Sequence, residues 1–556
     1  MMTSFASWIV QMLAANGVDT VFGIPGVHTV ELYRGLAGSS IRHVTARHEQ
    51  GAGFMADGYA RVSGRPGVCF VITGPGLTNI ATAMGQAYGD SIPMLVISTV
   101  NQAGSMGSGA GHLHELPDQR QLMAQVSAFS HTILTPEEFP TVLARAFAIF
   151  ASARPRPVHI EIPVDLLSVD ASRLGPARAL SVPDRPAASE RALEAAADEC
   201  ARASRPLIIA GGGATAAADA ILALAERLDA PVLMTTNARG ILAQDHPLAL
   251  PIWPGGDVGS SVMAAADLII AIGTELGPTD FEDRLADQRR LTARLVRCDI
   301  DPEQTVRGRL PDLAVVADAR DFAVRLAERI ERRKAGDGAL RTAKARAAVS
   351  NSLLLKQHAC LDLLDLLRDS ATHAVIVGDS TQPAYAGCVA FGASAPSQFF
   401  SSATGYGTLG YALPAAIGAR LARQTDAPVF ALIGDGGLQF SLPEMGTAVE
   451  AQADIVMVLW NNRGYGEIKS YMEGAAITPL GVDIHTPDFR LLAEGYGWTH
   501  MTADNPAAMA AAVTAALALR RPTVIEINEA TYVAGSERIA AGDQSIACDG
   551  SHSASP

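Results

Sequence analysis

The chain is short of several things that would each announce a class of protein. Its six cysteines (Cys69, Cys200, Cys298, Cys360, Cys388 and Cys548) lie far apart and form no C-x-x-C pair. That excludes a disulfide scaffold and a zinc-ribbon layout, and makes a reducing cytoplasm the expected setting. No apolar run is long enough to cross a bilayer. Met1 to Ala14 has no cationic residue ahead of its apolar ones, so it does not read as a signal peptide. Positive charge is also in deficit, with 43 Lys and Arg against 57 Asp and Glu, a net −14. A surface of that sign repels phosphate backbones and anionic lipid, which argues against nucleic-acid or membrane-surface partners. Charged residues are 18% of the chain and hydrophobic ones 48%, a balance that fills large cores and is wrong for disorder. The expectation is a cytoplasmic protein of 556 residues, with three or four domains at roughly 150 residues each.

What is abundant is a rhythm of short apolar runs and Ala/Leu-rich helical stretches. Val68–Thr73, Met94–Ser98, Val158–Ile162, Leu207–Ala210, Leu268–Ile272, Val429–Ile433 and Val524–Ile527 are apolar on both faces. Strands of that kind belong to parallel sheets covered by helices. Many of the 51 glycines follow these runs directly, where ligand-binding turns are built. Two polar stretches interrupt the rhythm, Ser168–Ala188 and Arg332–Ala347, and both read as linkers. The expected fold is α/β, with three doubly wound domains and mostly parallel sheets: residues 1–167, a Rossmann-like domain over 188–332, residues 348–533, and a flexible tail over 534–556.

The first and third domains read as copies. Val68–Ile72 runs into Thr73-Gly74-Pro75-Gly76, and Val429–Ile433 runs into Gly434-Asp435-Gly436; the two turns are 360 positions apart. His159-Ile160-Glu161-Ile162 and Val524-Ile525-Glu526-Ile527 repeat at an offset of 365. Two related sheets can face each other and hold a ligand between their carboxyl edges.

The sharpest chemical signal is in the third domain. Gly434-Asp435-Gly436-Gly437 is followed, after a helix and a second strand, by Asn461-Asn462-Arg463-Gly464. Both clusters fall at carboxyl ends of strands, where open α/β sheets bind ligands. The Asp435 carboxylate, the Asn462 amide oxygen and a carbonyl near Gly464 are hard oxygen donors, suited to Mg²⁺ with room for phosphate oxygens and water. The glycines admit a diphosphate to the backbone, and the following helix directs its N-terminus at it.

These two clusters resemble the diphosphate and metal motif of thiamine-diphosphate-dependent enzymes. Arg47-His48-Glu49-Gln50-Gly51-Ala52 with Ala56-Asp57-Gly58-Tyr59-Ala60-Arg61 is similar to the pyrimidine-domain signature of the acetolactate synthase, pyruvate decarboxylase and benzoylformate decarboxylase family. Thr73 to Asn79 and Gly405 to Gly410 also fit. The resemblance implies thiamine diphosphate and Mg²⁺ as cofactors. The coenzyme adds through its C2 ylid to a 2-oxo acid and, as an enamine, takes up the electrons left when CO₂ departs. Glu49 matches the carboxylic acid at the aminopyrimidine nitrogen. Pro25, Gly74, Asn79, Thr408, Leu409, Gly434, Gly436, Gly437 and Tyr465 match cofactor-binding positions, with Leu409 propping the two rings into a bent shape. Asp435, Asn462 and Gly464 match the metal ligands. In the family the two ends of the coenzyme are held by different subunits, so a homodimer or homotetramer with interfacial sites is implied.

For the substrate, Gly109 to Gln119 forms a polar, Gly-flanked loop after a strand. His114 stands where acetolactate synthases carry Gln, and Glu115 and Pro117 are retained. His112, His114 and Glu115 are the catalytic candidates beside Glu49, because imidazoles can relay the proton that replaces CO₂. His114, Gln119, Glu467 and Tyr471 are the substrate candidates. The sequence Gly464-Tyr465-Gly466-Glu467-Ile468-Lys469-Ser470-Tyr471 departs from acetolactate synthase, and the loop is closest to decarboxylases of 5-guanidino-2-oxopentanoate. Glu115, Glu467 or the Asp280/Glu282/Asp283 group would then hold a guanidinium by a bidentate pair. Two alternatives stand beside this: an acetolactate synthase-type carboligase, and a flavin- or nucleotide-binding oxidoreductase. The latter rests on Gly211-Gly212-Gly213, where some relatives hold FAD or ADP; an empty fold is the preferred expectation there.

Overall fold

A computed structural model describes residues 3–282, 292–334, 336–422 and 427–540. Asp283 and Cys548 lie outside these residues. The first domain contributes β1 (Thr20–Gly23), β2 (Arg42–Thr45), β3 (Gly67–Val71), β4 (Met94–Val100), β5 (Phe129–Thr132) and β6 (Val158–Pro163). The middle one contributes β7 (Pro206–Ala210), β8 (Val232–Met234), β9 (Ala249–Leu250), β10 (Leu268–Ile272), β11 (Arg294–Asp299) and β12 (Leu313–Val316). The last contributes β13 (Val375–Gly378), β14 (Phe399–Ser401), β15 (Val429–Gly434), β16 (Val456–Asn461), β17 (Thr499–Thr502) and β18 (Thr523–Asn528).

Each domain is a six-stranded sheet, ordered β2-β1-β3-β4-β6-β5, β12-β11-β10-β7-β8-β9 and β14-β13-β15-β16-β18-β17. Every pairing between these strands is parallel. Adding twelve to each strand number of the first sheet reproduces the third, so the duplication seen in the sequence is a duplication of topology. The central strands β3, β4, β7, β10 and β16 are buried along their whole length, as a sheet covered on both faces requires.

The two copies are docked through the helices Glu49–Ser63 and Ala412–Ala422. A Cβ on Gly58 would lie 2.0 Å from the Ala415 carbonyl oxygen, and one on Gly418 would lie 1.9 Å from that of Met55. The pairs are related by 360 positions in both members, a local two-fold in which each copy supplies the glycine that lets the backbones touch. One apolar cluster runs through this contact, joining Phe54, Met55 and Ala83 to Tyr411, Ala415 and Ile417.

Two segments expected as linker and tail carry helix. Arg332–Ala347 is mostly helix, Gly338–Ser352, because its Ala, Arg and Lys content favours one and Ala345 and Val349 bury against the middle sheet's core. The expected tail begins inside the helix Glu529–Ala540, anchored by buried Tyr532. Ser168–Ala188 is irregular, strapped to the first domain by Trp8 Nε1–H to the Gly175 carbonyl at 2.9 Å and by the Leu180 N–H to Asn16 Oδ1 at 2.8 Å. Cys69, Cys200, Cys298, Cys360 and Cys388 are free thiols. Among the described residues no helix is long and apolar enough to cross a membrane.

Candidate cofactor site at the carboxyl edges of the duplicated sheets

On the first sheet the edge is organised around the end of β3. Glu49 opens its helix behind the His48 N-cap, whose Nδ1 accepts the Gln50 N–H at 3.1 Å. The Glu49 carboxylate is buried, and its Oε2 accepts from Asn79 Nδ2 at 2.9 Å. Oε1 is the oxygen left over. Gly76 leaves it space, since a Cβ there would lie 3.1 Å from Oε1. Gly74 has φ +69, and a Cβ on it would meet the His114 carbonyl oxygen at 2.4 Å, so the His114 loop lies directly on this turn. Pro25 is exposed in the loop after β1, which is seated on Ile72 through Gly26.

The same loop carries His28, which sequence reasoning missed. Its ring lies against that of His114, with centroids 5.3 Å apart at 71°, and the Nδ1 atoms of both rings are buried without a hydrogen-bond partner. Burial, and then the neighbouring His114, hold the His28 imidazole below its usual range. The signal in the sequence was a lone histidine after a strand; its partner is 86 positions away.

His112, Glu115 and Gln119 have more local occupations. Glu115 accepts from Ser108 Oγ at 2.9 Å and from the N–H groups of Gly109, Gly111 and His112 at 2.7, 2.9 and 3.0 Å. Burial opposes ionisation, yet these donors together hold its carboxyl down to about 2. Glu115 therefore ties the loop that presents His112 and His114. His112 is exposed. Gln119 is buried beneath Gly74, accepting its N–H at 3.3 Å and donating to the Thr99 carbonyl at 2.7 Å.

On the third sheet Asp379, also missed, directly follows β13. Its carboxylate accepts from the N–H groups of Ser380, Ala412 and Gly410 at 2.9, 3.0 and 3.2 Å. Burial pushes its carboxyl up to about 6 against those donors. Asp379 thus holds the segment carrying Leu409, while Ser402 Oγ–H donates to the Thr408 carbonyl at 2.6 Å. Asp435 follows β15 and is buried; its oxygens accept from the Asn462 N–H at 3.3 Å and Thr486 Oγ1 at 3.5 Å, and neither partner is a cation. Burial raises its carboxyl, opposed by the N–H groups of Asn462, Gly464 and Gly436. Gly434 and Gly437 line the same turn, next to Thr381 and Asp379. A Cβ on Gly436 would collide with the Tyr465 ring at 2.7 Å, and one on Gly464 with the Val482 carbonyl at 2.4 Å. Asn462 Nδ2 donates to Gln382 Oε1 at 3.4 Å, and Gln382 Nε2 donates to Glu467 Oε2 at 3.5 Å. Tyr471 is exposed on the helix Gly466–Gly474, which buries none of its residues.

These residues suit the implied groups. Among the described residues no cluster of three or more His, Cys, Asp or Glu could hold a metal alone. Asp435 with Asn462 and a nearby carbonyl offers too few donors for a closed cage, which suits Mg²⁺ completed by phosphate and water. A buried carboxylate without a cation is an electrostatic deficit that such an ion fills. By contrast, Gly211 and Gly213 are accounted for by packing: Cβ atoms there would lie 2.3 Å and 3.1 Å from Gly273 atoms. Asp280, in the middle domain, has its carboxyl pushed up to about 6 by burial, against the Thr236 N–H and the Arg239 guanidinium.

Three descriptions of thiamine pyrophosphate enzymes match the chain in order: the N-terminal TPP binding domain over residues 3–122, the central domain over 193–326, and the C-terminal TPP binding domain over 379–527. The protein belongs to the thiamine pyrophosphate enzymes, in the branch of 2-oxo acid decarboxylases and carboligases. It is 48% identical to a probable 2-ketoarginine decarboxylase of Pseudomonas aeruginosa, over 88% of this chain and 87% of that one. It is 32% identical to the acetolactate synthase isozyme 1 large subunit of Escherichia coli, over 94% and 93%. With a probable acetolactate synthase large subunit of Methanocaldococcus jannaschii it shares 30%, over 88% and 86%.

Proposed function

We propose that the protein is a thiamine diphosphate- and Mg²⁺-dependent decarboxylase that converts 5-guanidino-2-oxopentanoate (2-ketoarginine) to its aldehyde and CO₂. The observation that carries decarboxylation over carboligation is the His28–His114 pair on the Glu49 edge. Releasing an aldehyde requires a proton at the carbon that lost CO₂, and two imidazoles in contact can relay one there. The substrate rests on the 48% likeness to a relative of that name and on the departure of Tyr465 to Tyr471 from acetolactate synthase.

Bound thiamine diphosphate supplies the electron sink for loss of CO₂. Glu49 would face the aminopyrimidine through Oε1, with Oε2 fixed by Asn79. Asp435, Asn462 and the Gly464 carbonyl would hold Mg²⁺ and through it the diphosphate, with Gly436 and Gly437 leaving the backbone open to it. Leu409 supports the coenzyme, positioned through Asp379. His112 is exposed on the Glu115-tied loop of the first domain, and Glu467 and Tyr471 are exposed on the helix Gly466–Gly474 of the third, where a carboxylate would pair with a guanidinium for about 1.5–3 kcal/mol. The assembly is a cytoplasmic homodimer or larger, with a second copy over the exposed Val27, Leu113, Phe440 and Leu480.

The deciding experiment follows CO₂ release with Mg²⁺ and thiamine diphosphate across pyruvate, benzoylformate, a branched-chain oxo acid and the guanidino oxo acid. The guanidino acid is expected to give the highest kcat/KM by at least tenfold, with one aldehyde per CO₂. A preference for pyruvate with acetolactate as product would replace the proposal by the carboligase alternative.

A further inference from the structure

Each copy of the duplicated domain sends one buried polar side chain across to the other, and each arrives next to a cofactor-facing residue. Glu444 opens the helix Glu444–Glu450, downstream of Asp435, and is 1% exposed. Its carboxylate accepts the Arg47 N–H at 3.0 Å, the His48 N–H at 3.0 Å and Thr447 Oγ1–H at 2.7 Å. Arg47 and His48 are the strand-to-helix corner that delivers Glu49. The Arg47 guanidinium does not answer this carboxylate, but pairs with Glu450 at 2.5 Å and the Thr45 carbonyl at 3.0 Å. Gly51 makes the room, because a Cβ there would lie 2.2 Å from Glu444 Oε1.

In the other direction, Gln86 on the helix Pro75–Asp90 is fully buried, and its Oε1 accepts both the N–H and the Oγ1–H of Thr408, at 3.2 and 2.9 Å. Its Nε2 donates to Asp90 at 2.8 Å and to the Thr404 carbonyl at 3.4 Å. His48 and Thr408 are 360 positions apart, as are Glu49 and Leu409. Gln86 and Glu444 lie on corresponding connections, from β3 to β4 and from β15 to β16. The difference in residue type follows from donor counts. Three donors converge on residue 444, which a carboxylate's two oxygens satisfy and a single amide oxygen does not. At residue 86 the two Thr408 donors share one oxygen, and two acceptors need the amide hydrogens.

We propose that Glu444 is the positioning residue for Glu49, and Gln86 its counterpart for Leu409, so that each copy sets the cofactor-facing corner of the other. This rests on the proposed role of Glu49. The test begins with the full-length, cofactor-free protein and local hydrogen exchange. Glu444→Gln turns an amide NH₂ toward backbone donors, and exchange over residues 45–52 is expected to quicken at least tenfold while 404–412 is unchanged. Gln86→Leu is expected to do the reverse. Gly51→Ala, which drives the carboxylate out without altering it, is expected to match Glu444→Gln. With Mg²⁺ and coenzyme restored, Glu444→Gln is expected to lose at least tenfold in kcat with the oxo acid KM within threefold. Equal loosening of both corners, an unchanged 45–52 segment, or full turnover from a loosened corner would each overturn the proposal. Should the wild type decarboxylate no oxo acid, the functional proposal falls, while the exchange pattern still decides whether Glu444 and Gln86 set these corners.

Discussion

At the scale of single residues, Glu49, Asp435 and Asn462 are candidates on residue type and spacing, and the structure buries Glu49 and Asp435 and brings the Asn462 N–H to the Asp435 carboxylate. Glu49→Gln keeps size and the Asn79 contact but removes the ionisable group that the proposed role needs. It is expected to bind coenzyme and Mg²⁺ as the wild type does, in a calorimetric titration, while turnover falls 10²-fold or more. Glu115 was legible as an acid but not as a loop tie, because that role depends on Gly109 and Gly111 at φ +71 and +81, which bring three N–H groups to one carboxylate. Its folded carboxyl sits at about 2, below the ordinary 4.5. The stability it lends is therefore present above pH 4.5 and lost as pH falls from there toward 2. Protection factors over residues 108–115 are expected to drop through that window in the wild type. In Glu115→Gln they are expected to be low already at pH 7, so a loop still protected in that variant would remove Glu115 from this role. His28 escaped notice for a different reason: pairing with His114 is a property of two loops meeting, and neither sequence neighbourhood records it.

At the scale of elements, the repeated strand-turn-glycine pattern disclosed the duplication, and the matching order of sheets one and three is its three-dimensional form. The reciprocal docking of Gly58 on Ala415 and Gly418 on Met55 could not be seen, since a helix glycine is ambiguous until its neighbour is known. Gly418→Ala places a methyl 1.9 Å from a carbonyl oxygen, and backbone cannot step aside as a side-chain end can. A loss of about 1–3 kcal/mol is expected in denaturant unfolding, with cooperative unfolding of the first and third domains weakened more than that of the middle one. A stability within 0.5 kcal/mol of wild type would show that the two helices part freely. The helix Gly338–Ser352 was hidden because charge and a Gly-Asp-Gly turn masked the residues Ala345 and Val349 that bury it.

At the scale of the whole molecule, the two candidate cofactor edges leave apolar side chains in the open: Val27 and Leu113 on one, Phe440, Tyr471 and Leu480 on the other. Apolar surface along both edges, together with a helix Gly466–Gly474 that buries nothing, is what the proposed second copy would cover. If the diphosphate is gripped by one copy and the aminopyrimidine by the other, coenzyme binding and association must be linked. Occupancy at 100 times the dissociation constant stabilises the bound state by about 2.7 kcal/mol per site. Dilution of the protein in sedimentation velocity is then expected to yield monomer at concentrations where Mg²⁺ and thiamine diphosphate restore the dimer, with a rise in melting temperature to match. Asp435→Ala should abolish both effects by removing the metal's charged ligand, whereas Glu49→Gln should keep them, since it spares the diphosphate end. A melting shift without any change in association would mean that one copy holds both ends of the coenzyme, and the edges would then need a different explanation for their exposed apolar residues.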